Sequence, residues 1–176
     1  EMLFTTSSLH RFISGVILHE ETLRQSITDA APFPEWLNKE GMIPGVKVDL
    51  GTKPLPRFPR EQLTHGLDTL AERVAEYKQL GVKFTKWRAV IEVGDGIPTS
   101  FCIAANAQAL ARYAAISQEA GLLPIVEPEV LMTGAHSIDA CFEITAATLR
   151  SVFDALMDHR VVLEQTLLKT NMVLPG

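Results

Sequence analysis

Charged side chains stand two residues apart at the ends of successive apolar runs in this sequence. The pairs are Lys47 and Asp49, Lys86 and Arg88, Glu127 and Glu129, and Lys169 with the amide Asn171. Side chains at positions i and i+2 of a β-strand point to the same face, so each pair projects together. The pairs recur at intervals of roughly 40 residues, which indicates a repeated strand and helix architecture.

Lysines, an arginine and glutamates gathered at one place could form and break a Schiff base. A lysine such as Lys169 attacks a ketone only as a free amine, and a neighbouring cation such as Lys86 favours that form. Forming the imine also needs proton transfers, which a carboxyl group close to a second carboxylate can perform, and Glu127 is so placed. Arg88 and Lys47 remain to hold a phosphate group, Arg88 as a planar fork and Lys47 as a point charge.

Each of these residues also has a purely structural interpretation. A single lysine at a strand end is usually a solvated surface residue, and the sequence Glu127-Pro128-Glu129 is typical of an acidic turn. Convergence of four strand ends favours a site over these interpretations. The spacing alone, however, leaves both open.

Short apolar runs alternate with stretches of helical period, a pattern typical of parallel strands joined by crossover helices. The predicted strands are residues 15–20, 44–49, 84–91, 123–130 and 164–173. The predicted helices are residues 61–80, 103–120 and 137–159, with Gly81 and Gly121 ending the first two and Ser137 capping the third. Residues 52–60 are polar and proline-rich, so we expect a surface loop there.

The charged strand ends distinguish between two architectures of this α/β class. In an open sheet covered by helices on both faces, these side chains would be buried among apolar residues, which is very unfavourable. In a barrel the same positions line the carboxyl-terminal mouth, where barrel active sites form. We therefore predict an α/β fold of the (β/α)8 TIM barrel type. Trp87 alternates with Lys86 and Arg88, and we expect it to pack beneath a helix.

Cysteine and histidine usage gives no sign of a metal or a disulfide framework. Cys102 and Cys141 lie in alanine-rich or aromatic surroundings without C-x-x-C spacing, and we predict buried free thiols. The histidines are scattered, and no pair has H-x-x-x-H spacing. We expect no metal site.

The overall charge and hydropathy exclude two classes of partner. With 16 basic and 21 acidic residues, the chain lacks the positive footprint that nucleic-acid binding needs. It has no long apolar run and no signal-peptide pattern at its first residues. We expect a soluble cytoplasmic protein with no nucleic-acid or membrane partner.

Several segments together resemble class I fructose-bisphosphate aldolase. The strand ends GVILHEETL, PGVKVDLG, KFTKWRAVI, LLPIVEPEV and LLKTNMVLPG match that family in order, and EQLTHGLDTLAERVAEYKQLG and ARYAAISQEAG are similar between them. The similarity covers essentially the whole chain. It implies a lyase of glycolysis and gluconeogenesis that cleaves fructose 1,6-bisphosphate reversibly to dihydroxyacetone phosphate and glyceraldehyde 3-phosphate.

The resemblance assigns a role to each candidate site residue. Lys169 corresponds to the Schiff-base lysine, Glu127 to the general acid and base, and Lys86 to a companion lysine that contacts substrate. Glu129 would orient Lys86 and Arg88. Glu164 would support the hydrogen-bond network near the imine. Lys47 and Arg88 would help bind the sugar phosphate. The family needs no metal or other cofactor and is commonly a homotetramer.

The sequence departs from the family pattern in residues and in length. Thr170, Leu50 and Gln165 stand where proline, lysine and glycine are usual, and all three neighbour the site. A complete barrel takes about 250 residues. We therefore expect residues 1–176 to form a single domain that is a partial barrel, roughly strands 2 to 6, without the first strand and strands 7 and 8.

Two other functions remain compatible with the sequence. One is a binding or scaffold protein that kept the aldolase fold and lost turnover, although Lys169, Glu127 and Lys86 are all retained. The other is a Schiff-base lyase that acts on a different phosphorylated ketose.

Overall fold

A sheet of five parallel strands forms the centre of the computed structural model, which describes residues 4–27 and 31–176. In sheet order these are β1 (Gly15–Leu18), β4 (Ile43–Lys47), β7 (Phe84–Ile91), β8 (Leu123–Val130) and β9 (Leu167–Leu168). Spatial neighbours in this sheet also follow one another along the chain. The five strands confirm the prediction of a parallel sheet, and β7 and β8 have the predicted bounds.

Helices connect these strands. They are α1 (Glu20–Leu23), α2 (Phe33–Lys39), α3 (Leu70–Gln79), α4 (Ser100–Glu119) and α5 (Ile138–Asp158). The Ser137 hydroxyl accepts a hydrogen bond from the Ala140 N–H, which confirms the predicted cap of α5. Gly81 and Gly121 have positive φ values of 92° and 71° directly after α3 and α4, as a helix C-terminus favours. No helix in the described ranges has the length and apolar character needed to cross a membrane.

The predicted helix 61–80 is wrong over its first part. There β6 (Gln62–Thr64) pairs with β5 (Thr52–Pro54) in an antiparallel hairpin, so the predicted loop 52–60 also begins as a strand. The buried carboxylate of Glu61 accepts hydrogen bonds from the N–H and hydroxyl of Thr99, at the start of α4. These contacts with distant residues hold residues 61–64 extended. A second short hairpin joins β2 (Ser26–Ile27) and β3 (Ala31–Pro32).

The two faces of β7 have different surroundings. Thr85, Trp87, Ala89 and Ile91 are buried, whereas the residues between them are partly exposed on the other face. Trp87 is completely buried and stacks on Tyr113 of α4 with ring centroids 5.5 Å apart. This confirms that Trp87 packs beneath a helix. Lys86 and Arg88 therefore point to the opposite face from the helix-covered core.

At the amino ends of the strands, an aromatic ring occupies the face opposite the helices. A Cβ atom at Gly45 in β4 would lie 2.2 Å from the Phe84 ring, so only glycine leaves room for that ring. The next residue on this face of β4 after Gly45 is Lys47. Phe84 thus occupies this face at the amino-terminal end of β7, and Lys47 and Lys86 follow it toward the carboxyl ends.

Both cysteines are buried free thiols, as predicted. Burial, and next the nearby carboxylate of Glu61, raise the pKa of Cys102 from 9.0 to about 11. At pH 8 this shift lowers the thiolate fraction by about a hundredfold relative to the unfolded chain.

We therefore expect Cys102 to react with iodoacetamide at pH 8 at least about a hundredfold more slowly in folded protein than in urea. Peptide mass spectrometry of Cys102 measures both rates. Because the folded pKa is raised, the stabilising contribution of the neutral thiol is complete below pH 9 and declines as the pH rises toward 11. Equal rates in folded and unfolded protein would contradict this burial.

Candidate active site

The strand register brings the predicted charged residues to one end of the sheet. Lys47 of β4 lies opposite Lys86 of β7, and Arg88 lies opposite Glu127 of β8. The Lys169 N–H, just past β9, donates to the Val126 carbonyl over 2.9 Å. Lys47 is the last residue of β4, and Arg88 and Glu127 begin the second halves of β7 and β8. The structure thus brings the predicted residues together toward one end of the sheet.

The carboxylate of Glu127 lies between two lysines. Its Oε2 atom forms an ion pair with Lys86, and its Oε1 atom accepts a hydrogen bond from Lys169. The side chain of Glu127 is 4% exposed and that of Lys86 is 12% exposed, whereas Lys169 is 58% exposed. A buried carboxylate is tolerated here because two cations compensate its charge. The arrangement leaves one amine open to an incoming molecule, with a carboxyl group in proton-transfer reach.

A second ion pair lies beside this group. Both Nε and Nη2 of Arg88 contact Oε2 of Glu129. The predicted contact of Glu129 with Arg88 is therefore present. Among the described ion pairs, however, Lys86 joins Glu127 and not Glu129, so the predicted contact between Glu129 and Lys86 is corrected. The reason is the register, which places Glu127 nearer than Glu129 to the level of Lys86.

Lys47 is held by a carboxylate that did not figure among the predicted site residues. Its Nζ atom lies 2.5 Å from Oδ1 and 3.0 Å from the carbonyl oxygen of Asp49. Oδ2 of Asp49 also accepts the Arg88 backbone N–H over 3.3 Å. One buried aspartate therefore links the segment after β4 to the middle of β7. The signal in the sequence was its position two residues after Lys47.

Glu164 is not brought to this group. It belongs to the 3-10 turn Leu163–Gln165, ahead of β9, and is exposed. It lines a surface cavity of about 330 Å³ together with Lys83 and Leu123, which lie at the amino ends of β7 and β8. The predicted role of Glu164 near the imine is thus corrected. The turn holds its side chain at the end of the sheet opposite Lys169.

Within residues 4–27 and 31–176, no group of three or more histidine, cysteine, aspartate or glutamate side chains is placed to hold a metal ion.

Sequence comparison gives the family of this chain. The sequence model of the family described as fructose-bisphosphate aldolase class I matches residues 1–176, which is the whole chain. The chain belongs to the class I fructose-bisphosphate aldolases. The resemblance seen in the strand-end motifs is thereby confirmed.

Individual fructose-bisphosphate aldolases agree with this result. A probable class 1 fructose-bisphosphate aldolase of Xylella fastidiosa is 56% identical over 176 residues, which is 100% of this chain and 53% of the relative. Cytosolic fructose-bisphosphate aldolase 5 of Arabidopsis thaliana is 52% identical over the same 176 residues, which is 49% of its length. The chain thus spans about half the length of the curated relatives it matches.

A solved aldolase structure gives the fold class. The fructose-bisphosphate aldolase of Plasmodium falciparum, solved with TRAP and a small-molecule inhibitor, superposes with a TM-score of 0.96 at 47% identity. The match covers 99% of this chain and 51% of that one. The predicted (β/α)8 barrel fold is confirmed, and the described strands and helices form part of such a barrel.

Proposed function

We propose that the full-length protein is a class I aldolase that cleaves fructose 1,6-bisphosphate reversibly, in glycolysis and gluconeogenesis, through a Schiff base on Lys169. The observation that carries this proposal is the Glu127 carboxylate held between Lys86 and Lys169 in a chain of the class I aldolase family. The exposed amine supplies the nucleophile. The buried carboxyl group supplies and accepts protons beside it.

The first half of the reaction forms the imine. The Lys169 amine attacks the C2 ketone of the sugar, and proton transfer gives a neutral carbinolamine. The Glu127 carboxyl group then protonates the C2 hydroxyl, which leaves as water, and the nitrogen lone pair forms the C=N bond of the protonated imine. The transfer leaves Glu127 as a carboxylate, and the ammonium group of Lys86 balances that negative charge. A covalent intermediate of this kind divides one difficult cleavage into easier steps.

The second half breaks the carbon-carbon bond. Glu127, now a carboxylate, takes the proton of the C4 hydroxyl, and the C3–C4 bond breaks as the C4–O bond becomes an aldehyde. The bonding electron pair moves into the imine, which becomes an enamine. Glyceraldehyde 3-phosphate leaves. Protonation of the enamine at C3, followed by hydrolysis of the imine, releases dihydroxyacetone phosphate and restores the Lys169 amine.

Lys47 and Arg88 are proposed to bind a substrate phosphate. Arg88 presents a planar guanidinium that suits phosphate oxygens, and Glu129 holds it in place. On β4, the strand next to that of Arg88, the ammonium group of Lys47 is held by the carboxylate of Asp49. Both cations remain partly exposed, at 42% for Arg88 and 29% for Lys47, so they are accessible to a phosphate group.

Trapping the imine tests the proposal. The full-length protein is incubated with dihydroxyacetone phosphate and sodium borohydride, which reduces an imine to a stable amine. We expect peptide mass spectrometry to find the added mass on Lys169, because this amine is the exposed one beside Glu127. Omitting either reagent is the control. An active enzyme whose Lys169 stays unmodified would refute the assignment.

Three properties of the complete protein also belong to the proposal. Residues 1–176 are proposed to belong to a single barrel domain. A cytoplasmic location is supported by relatives named as cytosolic in Arabidopsis thaliana and as the cytoplasmic isozyme in Spinacia oleracea. A homotetramer is proposed from the resemblance to the family.

A further inference from the structure

The backbone that carries Lys169 has few strand contacts. The pairing of β9 with β8 covers only Leu167 and Leu168, and the Lys169 N–H adds one more hydrogen bond, to Val126. The observed ladder is much shorter than the predicted strand over residues 164–173. The position of Lys169 therefore depends on contacts made by the residues that follow it.

Asn171 takes the place of the missing ladder. Its Oδ1 atom accepts a hydrogen bond from the Val130 N–H over 3.2 Å, at the end of β8. Its Nδ2 group donates to the Thr145 hydroxyl over 3.1 Å and to the Met172 carbonyl over 3.0 Å. Val130 is fully buried and Thr145 on α5 is nearly so. One amide side chain thus ties the segment both to the sheet and to a helix.

These anchors lie on both sides of Glu127. The Lys169 N–H is bound to Val126, one residue before Glu127, and Asn171 is bound to Val130, three residues after it. The backbone between the two anchors carries the Lys169 side chain, whose amine contacts Glu127. An amide suits this task because it accepts from one backbone group and donates to another neighbour at once.

We propose that Asn171 is a positioning residue that holds the Lys169 amine against Glu127. The inference rests on the proposed Schiff-base function and adds a residue to it. Removing Asn171 would let the segment after Lys169 move away from β8, and small misplacements of a reacting group slow reactions strongly. Substrate phosphate binding should change little, because Lys47 and Arg88 lie on β4 and β7 and are held by other residues.

The test compares Asn171→Ala with Asn106→Ala in the full-length protein. Asn106 is a matched control, since its side chain donates to the carbonyls of Gln62 and Cys102 from α4 and does not touch the Lys169 segment. We measure borohydride trapping rate with dihydroxyacetone phosphate, kcat and KM for fructose 1,6-bisphosphate, and thermal unfolding. For Asn171→Ala we expect trapping rate and kcat to fall about 10- to 100-fold, with KM within about threefold.

Asn106→Ala should lower the unfolding temperature while its trapping rate stays within about twofold of wild type.

Thr145→Val removes only the acceptor of the Asn171 amide and keeps the shape of the side chain. We expect it to slow trapping by about two- to tenfold. This milder variant carries the test if Asn171→Ala does not fold.

Four results would overturn the inference. The first is a wild-type trapping rate in Asn171→Ala, the second is an equal loss of trapping rate in Asn171→Ala and Asn106→Ala, and the third is a raised KM with unchanged kcat in Asn171→Ala. The fourth applies where Asn171→Ala does not fold, and it is an unchanged trapping rate in Thr145→Val. Each of these is observed with a wild-type protein that is trapped at Lys169. If wild-type protein forms no adduct there, the proposed function fails and this inference fails with it.

Discussion

Replacing Lys169 by methionine is expected to lower kcat/KM for fructose 1,6-bisphosphate by at least about 10,000-fold and to abolish borohydride trapping. Methionine keeps an unbranched side chain of similar reach but has no amine, so it forms no imine. Without the imine, the electron pair of the C3–C4 bond has no acceptor. Glu127 keeps its ion pair with Lys86, so the protein should fold. The loss therefore reports chemistry rather than stability.

A surface lysine provides the matched control for this substitution. Lys78 lies on α3, and its ammonium group donates to the Ala120 carbonyl at the end of α4. Lys78→Met should leave kcat/KM within about twofold and leave trapping unchanged, because this amine contacts neither Glu127 nor Lys86. Steady-state cleavage assays and trapped-peptide mass spectrometry measure both variants. Retention of more than a tenth of the activity in Lys169→Met would assign the nucleophile elsewhere.

The sheet and its charged end could be predicted because their signals are local. β7 and β8 are apolar-rich runs of eight residues that follow directly on the ends of predicted helices, and their observed bounds equal the predicted ones. The two-residue spacing of Lys86 with Arg88 and of Glu127 with Glu129 requires each pair to share a face. Parallel strands then bring all four side chains to one edge.

The errors occur where such contacts decide the conformation. Leu63 and Leu67 fit a helical stripe, yet residues 62–64 pair with 52–54 because Glu61 and the hairpin are bound to the start of α4. The final strand was predicted too long because apolar residues return at 172–174, whereas the ladder stops at Leu168. Glu164 was placed at the site by position in the family motif, but a 3-10 turn keeps it at the other end of the sheet.

Asp49 and Asn171 show a further limit of reading the sequence. The two-residue spacing singles out both residues as partners of a lysine. In the structure, their side-chain oxygens accept hydrogen bonds from backbone N–H groups of neighbouring strands. A side chain that replaces a ladder hydrogen bond leaves no periodic signal, because the partner is set by sheet register. Such residues become visible only once the register is known.

Replacing Glu127 by glutamine is expected to lower kcat about 100- to 10,000-fold and to slow imine trapping at Lys169 by a similar factor. Glutamine keeps the shape of the side chain but carries no charge and cannot act as a general acid or base. The carbinolamine then lacks its proton donor, and the C4 hydroxyl lacks its base. The two ammonium groups of Lys86 and Lys169 also lose their shared counter-charge, so we expect a lower free energy of unfolding, by about 2 kcal/mol.

Glu129→Gln separates these effects. It removes a carboxylate from the same face of β8, but that carboxylate pairs with Arg88 and not with Lys86 or Lys169. Glu129→Gln should loosen the Arg88 guanidinium that is proposed to bind a substrate phosphate. We therefore expect it to raise KM for fructose 1,6-bisphosphate several-fold, with kcat and the trapping rate less affected. Trapping rates, kcat, KM and urea unfolding of both variants give the two patterns. If Glu127→Gln traps as fast as wild type, the proton donor for imine formation is another group. The contrast follows from geometry, because Glu127 touches the reacting amine and Glu129 touches only the guanidinium beside it.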